Sequence, residues 1–300
     1  MNDVMEQLEG TIVRALSGFY DVDTGERIVR CRARGKFRKE HITPLVGDKV
    51  RFQMSGENGY VQEIYHRKNC FVRPAVANVD ALVMIAAQVN PVTDPFLIDR
   101  VAAIAAQQRV ELILVLNKCD LDPAVKLYDI YSGTGMTVFR LSAKTGEGIE
   151  PLRQELSGKL AAFTGNSGVG KSSLLNRLYP EANMATGTVS DKLGRGRHTT
   201  RHVELFALPD GTKIMDTPGF SAFDTDQMEL GIPERLAQAF PEFAPYLGQC
   251  RFDDCAHIKE KGCAVLDALA EGKIQSSRHA SDVRLYQQLK EQKAWERKKD

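Results

Sequence analysis

Gly165-Asn166-Ser167-Gly168-Val169-Gly170-Lys171-Ser172 fits the pattern G-x-x-x-x-G-K-[ST]. Such a loop wraps a β-phosphate in backbone N–H groups, and the helix that follows adds a favourable dipole. Lys171 would reach the β- and γ-phosphates, the Ser172 hydroxyl would bind Mg2+, and Ser173 closes the stretch. A chain of average composition and this length meets the pattern by chance on the order of 1% of the time. An apolar strand before the loop and a helix after it lower that figure further.

A second string names the base. Asn117-Lys118-Cys119-Asp120 fits N-K-x-D. A carboxylate at Asp120 accepts two hydrogen bonds from the N1–H and N2–H2 edge of guanine, a donor pair that adenine lacks. Asn117 would brace the loop and the base, and the Lys118 stem would cover the ring. Ser142-Ala143-Lys144 follows the next strand, and a backbone N–H near Ala143 would donate to guanine O6. Together the two strings make ATP a poor ligand.

The order of the strings is rotated. In an ordinary GTPase the glycine loop opens the domain, whereas here N-K-x-D precedes it by about fifty residues. Asp216-Thr217-Pro218-Gly219 fits D-x-x-G: Asp216 would hold Mg2+ through water, and the Gly219 N–H would meet the γ-phosphate. Between these strings, Ser190 to His202 is rich in glycine and charge, as suits a switch segment. Thr199 or Thr200 would complete the Mg2+ shell. Phe220 stands where many GTPases carry a water-orienting Gln, so intrinsic hydrolysis is expected to be slow. His198 is the nearest polar side chain in sequence that can orient water or move a proton near neutral pH.

Cys250, Cys255, His257 and Cys263 put three thiols and an imidazole within fourteen residues. Soft ligands in this number suit tetrahedral Zn2+ and leave no open position, so the expected role is structural. Cys31, Cys70 and Cys119 show no partner pattern.

The elements that must hold these groups fall into three stretches. Residues 10–68 read as short strands punctuated by Gly25, Gly35, Gly47, Gly56 and Gly59, the pattern of a small barrel. From about residue 75, apolar runs at 79–87, 112–116, 138–141 and 160–164 alternate with helical patterns, which predicts a parallel α/β sheet. Each motif then falls at the carboxyl end of a strand, where such sheets bind ligands. After about residue 230 the chain reads as helical and charged.

Composition excludes some classes. The 300 residues are 43% hydrophobic and 26% charged, and no apolar run is long enough to span a bilayer. Three clustered Cys and a polar N-terminus favour a cytoplasmic protein with a metal site over a disulfide scaffold. The net charge of +1 leaves nucleic-acid contact to local patches. One such patch runs from Arg27 to Lys39, with seven basic residues, no acid, and Phe37 available for stacking. The tail from Lys290 to Asp300 is a second.

Taken together, the motifs resemble the circularly permuted, small-subunit-dependent ribosome biogenesis GTPases. The resemblance covers nearly the whole chain, including Arg14-Ala15-Leu16-Ser17-Gly18-Phe19-Tyr20 and Gly196-Arg197-His198-Thr199-Thr200. It implies an N-terminal OB-fold β-barrel over 1–70, a permuted G domain over 71–225 and a mostly helical zinc domain over 226–300. It also implies binding to the small (30S) ribosomal subunit and its rRNA during late maturation, with ribosome-stimulated hydrolysis of GTP; the expected state is a monomer. The histidine matching His198 is a proposed catalytic residue in that family. Arg201 departs from the expected Thr, which leaves the Mg2+-binding Thr open. Two other readings compete: an RNA-binding scaffold with a regulatory nucleotide site, and a protein-activated signalling GTPase.

Overall fold

The computed structural model describes residues 7–40, 42–72, 74–180, 204–216 and 232–296. Its first strands are β1 (Gln7–Leu16), β2 (Phe19–Asp23), β3 (Ile28–Ala33), β4 (Lys49–Ser55) and β5 (Asn58–Ile64), with a short helix α1 (Gly35–Lys39) after β3. They pair in the order β1-β2-β3-β5-β4, and β4 returns to β1, so the barrel closes and leaves no open edge. This five-stranded closed barrel is OB-like. Alternation along the strands decides what faces inward: Tyr20, Val22, Val29, Cys31, Val50, Phe52 and Val61 are all buried.

Two expectations for the barrel are corrected. Phe37 is only 4% exposed, because the one-turn helix α1 uses it as its anchor in the core, so it is not available for stacking. The basic run is also partly neutralised from the adjacent strand, where Asp21 accepts from Arg30 at 2.9 Å.

A small hairpin, β6 (Cys70–Val72) and β7 (Ala75–Ala77), leads into the second unit. There the chain runs β8 (Ala81–Ala87), α2 (Pro95–Gln107), β9 (Glu111–Asn117), α3 (Val125–Tyr131), β10 (Thr137–Arg140), α4 (Ile149–Leu156), β11 (Leu160–Gly165) and α5 (Lys171–Leu178). After residues outside the description come β12 (Glu204–Ala207) and β13 (Lys213–Asp216). The sheet order is β10-β9-β8-β11-β13-β12, parallel except for β12.

Strands buried on both faces explain the continuous apolar runs. On one face Leu82, Met84, Leu114 and Leu116 pack against α2 and α3. On the other, Val83, Ile85, Val115 and Phe163 meet Leu152, Leu156, Leu174 and Leu178 of α4 and α5. From β8 the strands proceed outward one way, and from β11 the other, so the sheet has its topological switch point between them. β12 also touches the barrel, through the pair Arg14↔Glu204 on β1.

The last unit has 3-10 turns at Pro233–Ala239 and Pro241–Phe243, then α6 (Ala264–Ala270) and the long α7 (Ser276–Glu296). It docks on α2. Arg278 of α7 is fully buried; it donates to Asp99 of α2 at 2.7 Å and to both oxygens of Glu242 at 2.6 and 3.1 Å. The Tyr131 hydroxyl donates to the same Asp99 oxygen at 2.7 Å.

Candidate functional site

The glycine loop springs from β11, every residue of which is buried, and it ends in α5. Its backbone can turn so tightly because of its glycines. Gly170 has φ +93°, and a Cβ there would lie 2.4 Å from the Asn117 amide nitrogen. No side chain caps α5 at Gly170, and an uncapped helix start is the kind of group that receives an anion. Lys171 and Ser172 are half-buried at the mouth, while Asn166 is half-buried and Ser167, Gly168 and Ser173 are exposed. Val169 is fully buried and anchors the loop.

One carboxamide ties three loops together. Asn117, at the end of β9, is 2% exposed. Its amide nitrogen donates to the Val169 carbonyl at 2.8 Å, and its oxygen accepts from the Ala143 N–H at 3.0 Å. The phosphate loop, N-K-x-D and S-A-K are thus held in one register. Lys118 adds a clasp, its ammonium donating to the Gly168 carbonyl at 2.7 Å and to the Asn90 carbonyl in the loop after β8. The Ala143 N–H is therefore occupied by Asn117.

The Asp120 carboxylate is oriented by its neighbours. Ser142 Oγ donates to Asp120 Oδ1 at 2.7 Å, and the Lys144 ammonium stands 3.8 Å from Oδ2. Asp120 keeps only 13% of its side chain exposed. Cys119 turns its thiol to the Leu116 carbonyl at 3.3 Å, and burial pushes that thiol's pKa up. A contact absent from the sequence reading reinforces the S-A-K loop: Arg177 of α5 donates to the Thr145 carbonyl at 3.0 Å. Gly146 beside it has φ +91°, a backbone conformation that favours glycine.

Asp216 ends β13, beside β11, on the same edge of the sheet as the other motifs. His198, Thr199, Thr200 and Gly219 lie outside the described residues. A cavity of about 540 Å³ between the end of α2 and the Pro233–Ala239 turn contains none of the motif residues.

Cys250, Cys255, His257 and Cys263 converge, their ligand atoms all within 4.8 Å of one another. Cys250 Sγ is 3.8 Å from Cys263 Sγ, and His257 Nδ1 lies 3.6 and 3.4 Å from those two sulfurs. A zinc tetrahedron with Zn–S of ~2.3 Å and Zn–N of ~2.0 Å has sulfurs about 3.8 Å apart and nitrogen about 3.5 Å from sulfur. The donor set and its spacing fit a four-coordinate soft cation. Burial pushes the Cys255 thiol up to about 12 and raises Cys263, so a bound cation is what would draw off their protons.

The surroundings of the cluster are built for the purpose. Glu260 accepts from the N–H groups of Ala256, Ile258 and Lys259 at 3.2, 2.8 and 2.9 Å, which shapes the loop carrying His257. Burial works to raise the Glu260 carboxyl, and these donors outweigh it and hold the group low. His279 of α7, which has no role legible in sequence, contacts the His257 carbonyl at 2.7 Å.

Comparison with known proteins decides the family. The model described as RsgA N-terminal domain matches residues 9–61, and that described as RsgA GTPase matches residues 64–226. The chain belongs to the RsgA GTPase family. Among its relatives, the small ribosomal subunit biogenesis GTPase RsgA of Caldanaerobacter subterraneus subsp. tengcongensis is 43% identical, covering 96% of this chain and 97% of the relative. That of Geobacillus kaustophilus is 42% identical over 95% of this chain and 98% of the relative.

RsgA-like architecture is also found in solved structures. YjeQ from Thermotoga maritima superimposes with a TM-score of 0.80 at 34% identity, covering 95% of this chain and 99% of YjeQ. YloQ, described as a circularly permuted GTPase, gives 0.78 at 32%, covering 97% and 98%. The rotated motif order therefore belongs to a GTP hydrolase with a permuted G domain. Among the described residues, no helix is long and apolar enough to cross a membrane.

Proposed function

We propose that this GTPase joins immature small (30S) ribosomal subunits as a cytoplasmic monomer, assists their late maturation, and leaves after hydrolysing GTP. The three units take separate tasks: 1–70 meets rRNA, 71–225 turns over nucleotide, and 226–300 forms a zinc-stabilised arm. The observation that carries the nucleotide reading is the Asn117 carboxamide, bonded at once to the phosphate loop and the S-A-K loop. Asp120, three residues further on, keeps 13% of its side chain exposed, which supports a role in reading the base. The names of the relatives carry the partner.

In this reading Asp120 accepts from the guanine N1–H and N2–H2, and the Lys144 N–H meets O6. The N–H groups from Gly165 to Ser173 and the Lys171 ammonium take the β- and γ-phosphates. Ser172, Asp216 and Thr199 or Thr200 would hold Mg2+, which neutralises phosphate charge when bound. Water attacks the γ-phosphorus, the bond to the β–γ bridging oxygen breaks, and GDP and phosphate result. His198 orients that water in place of the Gln that Phe220 replaces, so turnover by the chain alone is slow and the subunit stimulates it. The Cys250, Cys255, His257 and Cys263 set holds structural Zn2+.

GTP turnover by the purified chain, alone and with small or large ribosomal subunits, tests this reading. The expected result is stimulation by small subunits only, abolished by Lys171→Ala. Turnover indifferent to small subunits, with GTP binding intact, would overturn the partner and favour a protein-activated switch.

A further inference from the structure

The outer face of the barrel carries a row of side chains that closing the barrel does not require. Cross-strand register aligns Phe19 of β2 with Arg32 of β3, Arg32 with Tyr60 of β5, and Tyr60 with Gln53 of β4. The row runs perpendicular to four strands, with neighbours about 4.8 Å apart. Arg32 lies over the Phe19 ring, 4.5 Å from its centroid. Tyr60, next in the row, is 40% exposed and lies beside Arg32.

Charge around the row is one-sided. Arg32, Arg34 and Lys36 form no ion pair with any described residue; Arg34 has only the neutral Gln53 amide, at 3.4 Å. Of the carboxylates on this face, Asp21 is engaged by Arg30 and Glu63 by Arg51, while Asp23, at the far end of β2, accepts from the Gly25 N–H. Elsewhere the exposed ring of Phe252 sits beside Asp253 and Asp254, a setting that repels phosphate. In the barrel row the exposed Tyr60 ring stands beside Arg32, which no described carboxylate pairs.

We propose that this face, centred on Tyr60 and Arg32, is a stacking platform for a single-stranded segment of RNA. The proposal rests on the ribosomal reading above and names the surface that makes the contact. A base stacks on Tyr60, Arg32 supports its neighbour against Phe19, and Arg34 and Lys36 take the flanking phosphates. Recognition is by shape and charge, without base-edge readout. This corrects the stacking residue: the ring that serves is Tyr60, and the nearby Phe37 is core.

The test is fluorescence anisotropy with a labelled single-stranded oligouridylate and the full chain, across a salt series. Tyr60→Ala is expected to weaken binding about tenfold with the salt slope unchanged, whereas Tyr60→Phe keeps wild-type affinity. Replacing Arg34 and Lys36 together by Gln is expected to flatten the log–log salt slope by about 1.4, two phosphates' worth for a single strand. Intrinsic GTP turnover of each variant stays at the wild-type value, which reports that the fold is intact. Oligonucleotide affinity unchanged in Tyr60→Ala would overturn the proposal. So would variants that lose small-subunit stimulation while keeping oligonucleotide affinity, since the face would then dock a protein. If small subunits fail to stimulate even the wild type, the functional reading falls, and the oligonucleotide series still decides this one.

Discussion

Replacing Arg278 by Ala is expected to be the most destabilising single change at the junction between α2 and α7. The guanidinium is fully buried and serves Asp99 at 2.7 Å and Glu242 at 2.6 and 3.1 Å, with both carboxylates also enclosed. Burial already pushes the Asp99 carboxyl above its ordinary range, against the pull of Arg278. Without the cation, two carboxyls face each other out of water. Forcing one from an ordinary pKa of about 4 to the neutral form at neutral pH costs about 4 kcal/mol. Breaking a buried pair by removing one partner typically costs about 3–5 kcal/mol, which agrees. The lost stacking of Arg278 on Phe240, 4.6 Å from the centroid, adds to this. Urea unfolding followed by far-UV circular dichroism would measure the loss. The deficit should shrink on acidification, because the orphaned carboxyls bind protons in the folded chain before they do in the unfolded one. Asp99→Asn, Glu242→Gln and Arg278→Met together should recover most of it. A loss below about 1 kcal/mol, or one that ignores pH, would refute the picture of a dry ionic clasp.

Other expectations follow from the same contacts. Asn117→Ala leaves the Val169 carbonyl and the Ala143 N–H unpaired, and should weaken binding of a fluorescent GDP analogue at least about tenfold; near-wild-type affinity would show that the three loops hold themselves. Burial holds Asp282 up to about 7, against about 3.9 in an unfolded chain. Between those values folding takes up a proton, so stability falls as pH rises through that window. Asp282→Asn should remove that slope and stabilise the chain at about pH 8, which denaturation at several pH values would check. The purified chain should carry a single zinc ion by elemental analysis, and chelation should loosen residues 250–263 in hydrogen exchange while GDP affinity stays. Iron–sulfur absorbance in place of zinc would overturn the metal assignment.

What the sequence makes legible is local. The phosphate loop and N-K-x-D are short strings, each at the end of a strand whose burial on both faces is written as an apolar run, and S-A-K follows the half-buried edge strand β10. The metal set is equally compact in sequence, and its side chains do converge. The contacts that pair distant residues are not legible. Asn117 reaches residues 26 and 52 positions away, and Asp99 meets Arg278 across 179. No periodicity encodes such pairs; they exist only once the sheet has formed.

Short elements also escape. Helix α1 is five residues long, and nothing in Gly35-Lys36-Phe37-Arg38-Lys39 shows that Phe37 turns inward. Strand β2 does alternate, with Tyr20 and Val22 inside, but it follows so closely on the Ser17-Gly18 turn that a reading by punctuation passes over it.

The central claim is that Asp120, fixed by Ser142 and held in register by Asn117, reads guanine. Nucleotide selectivity of Asp120→Asn tests it most directly, by comparing affinities for GDP and xanthosine diphosphate in the wild type and the variant. Asparagine offers a donor where xanthine carries a carbonyl and guanine an amino group. The account requires the preference to cross from guanosine to xanthosine nucleotide. A variant that keeps its selectivity for GDP would contradict it.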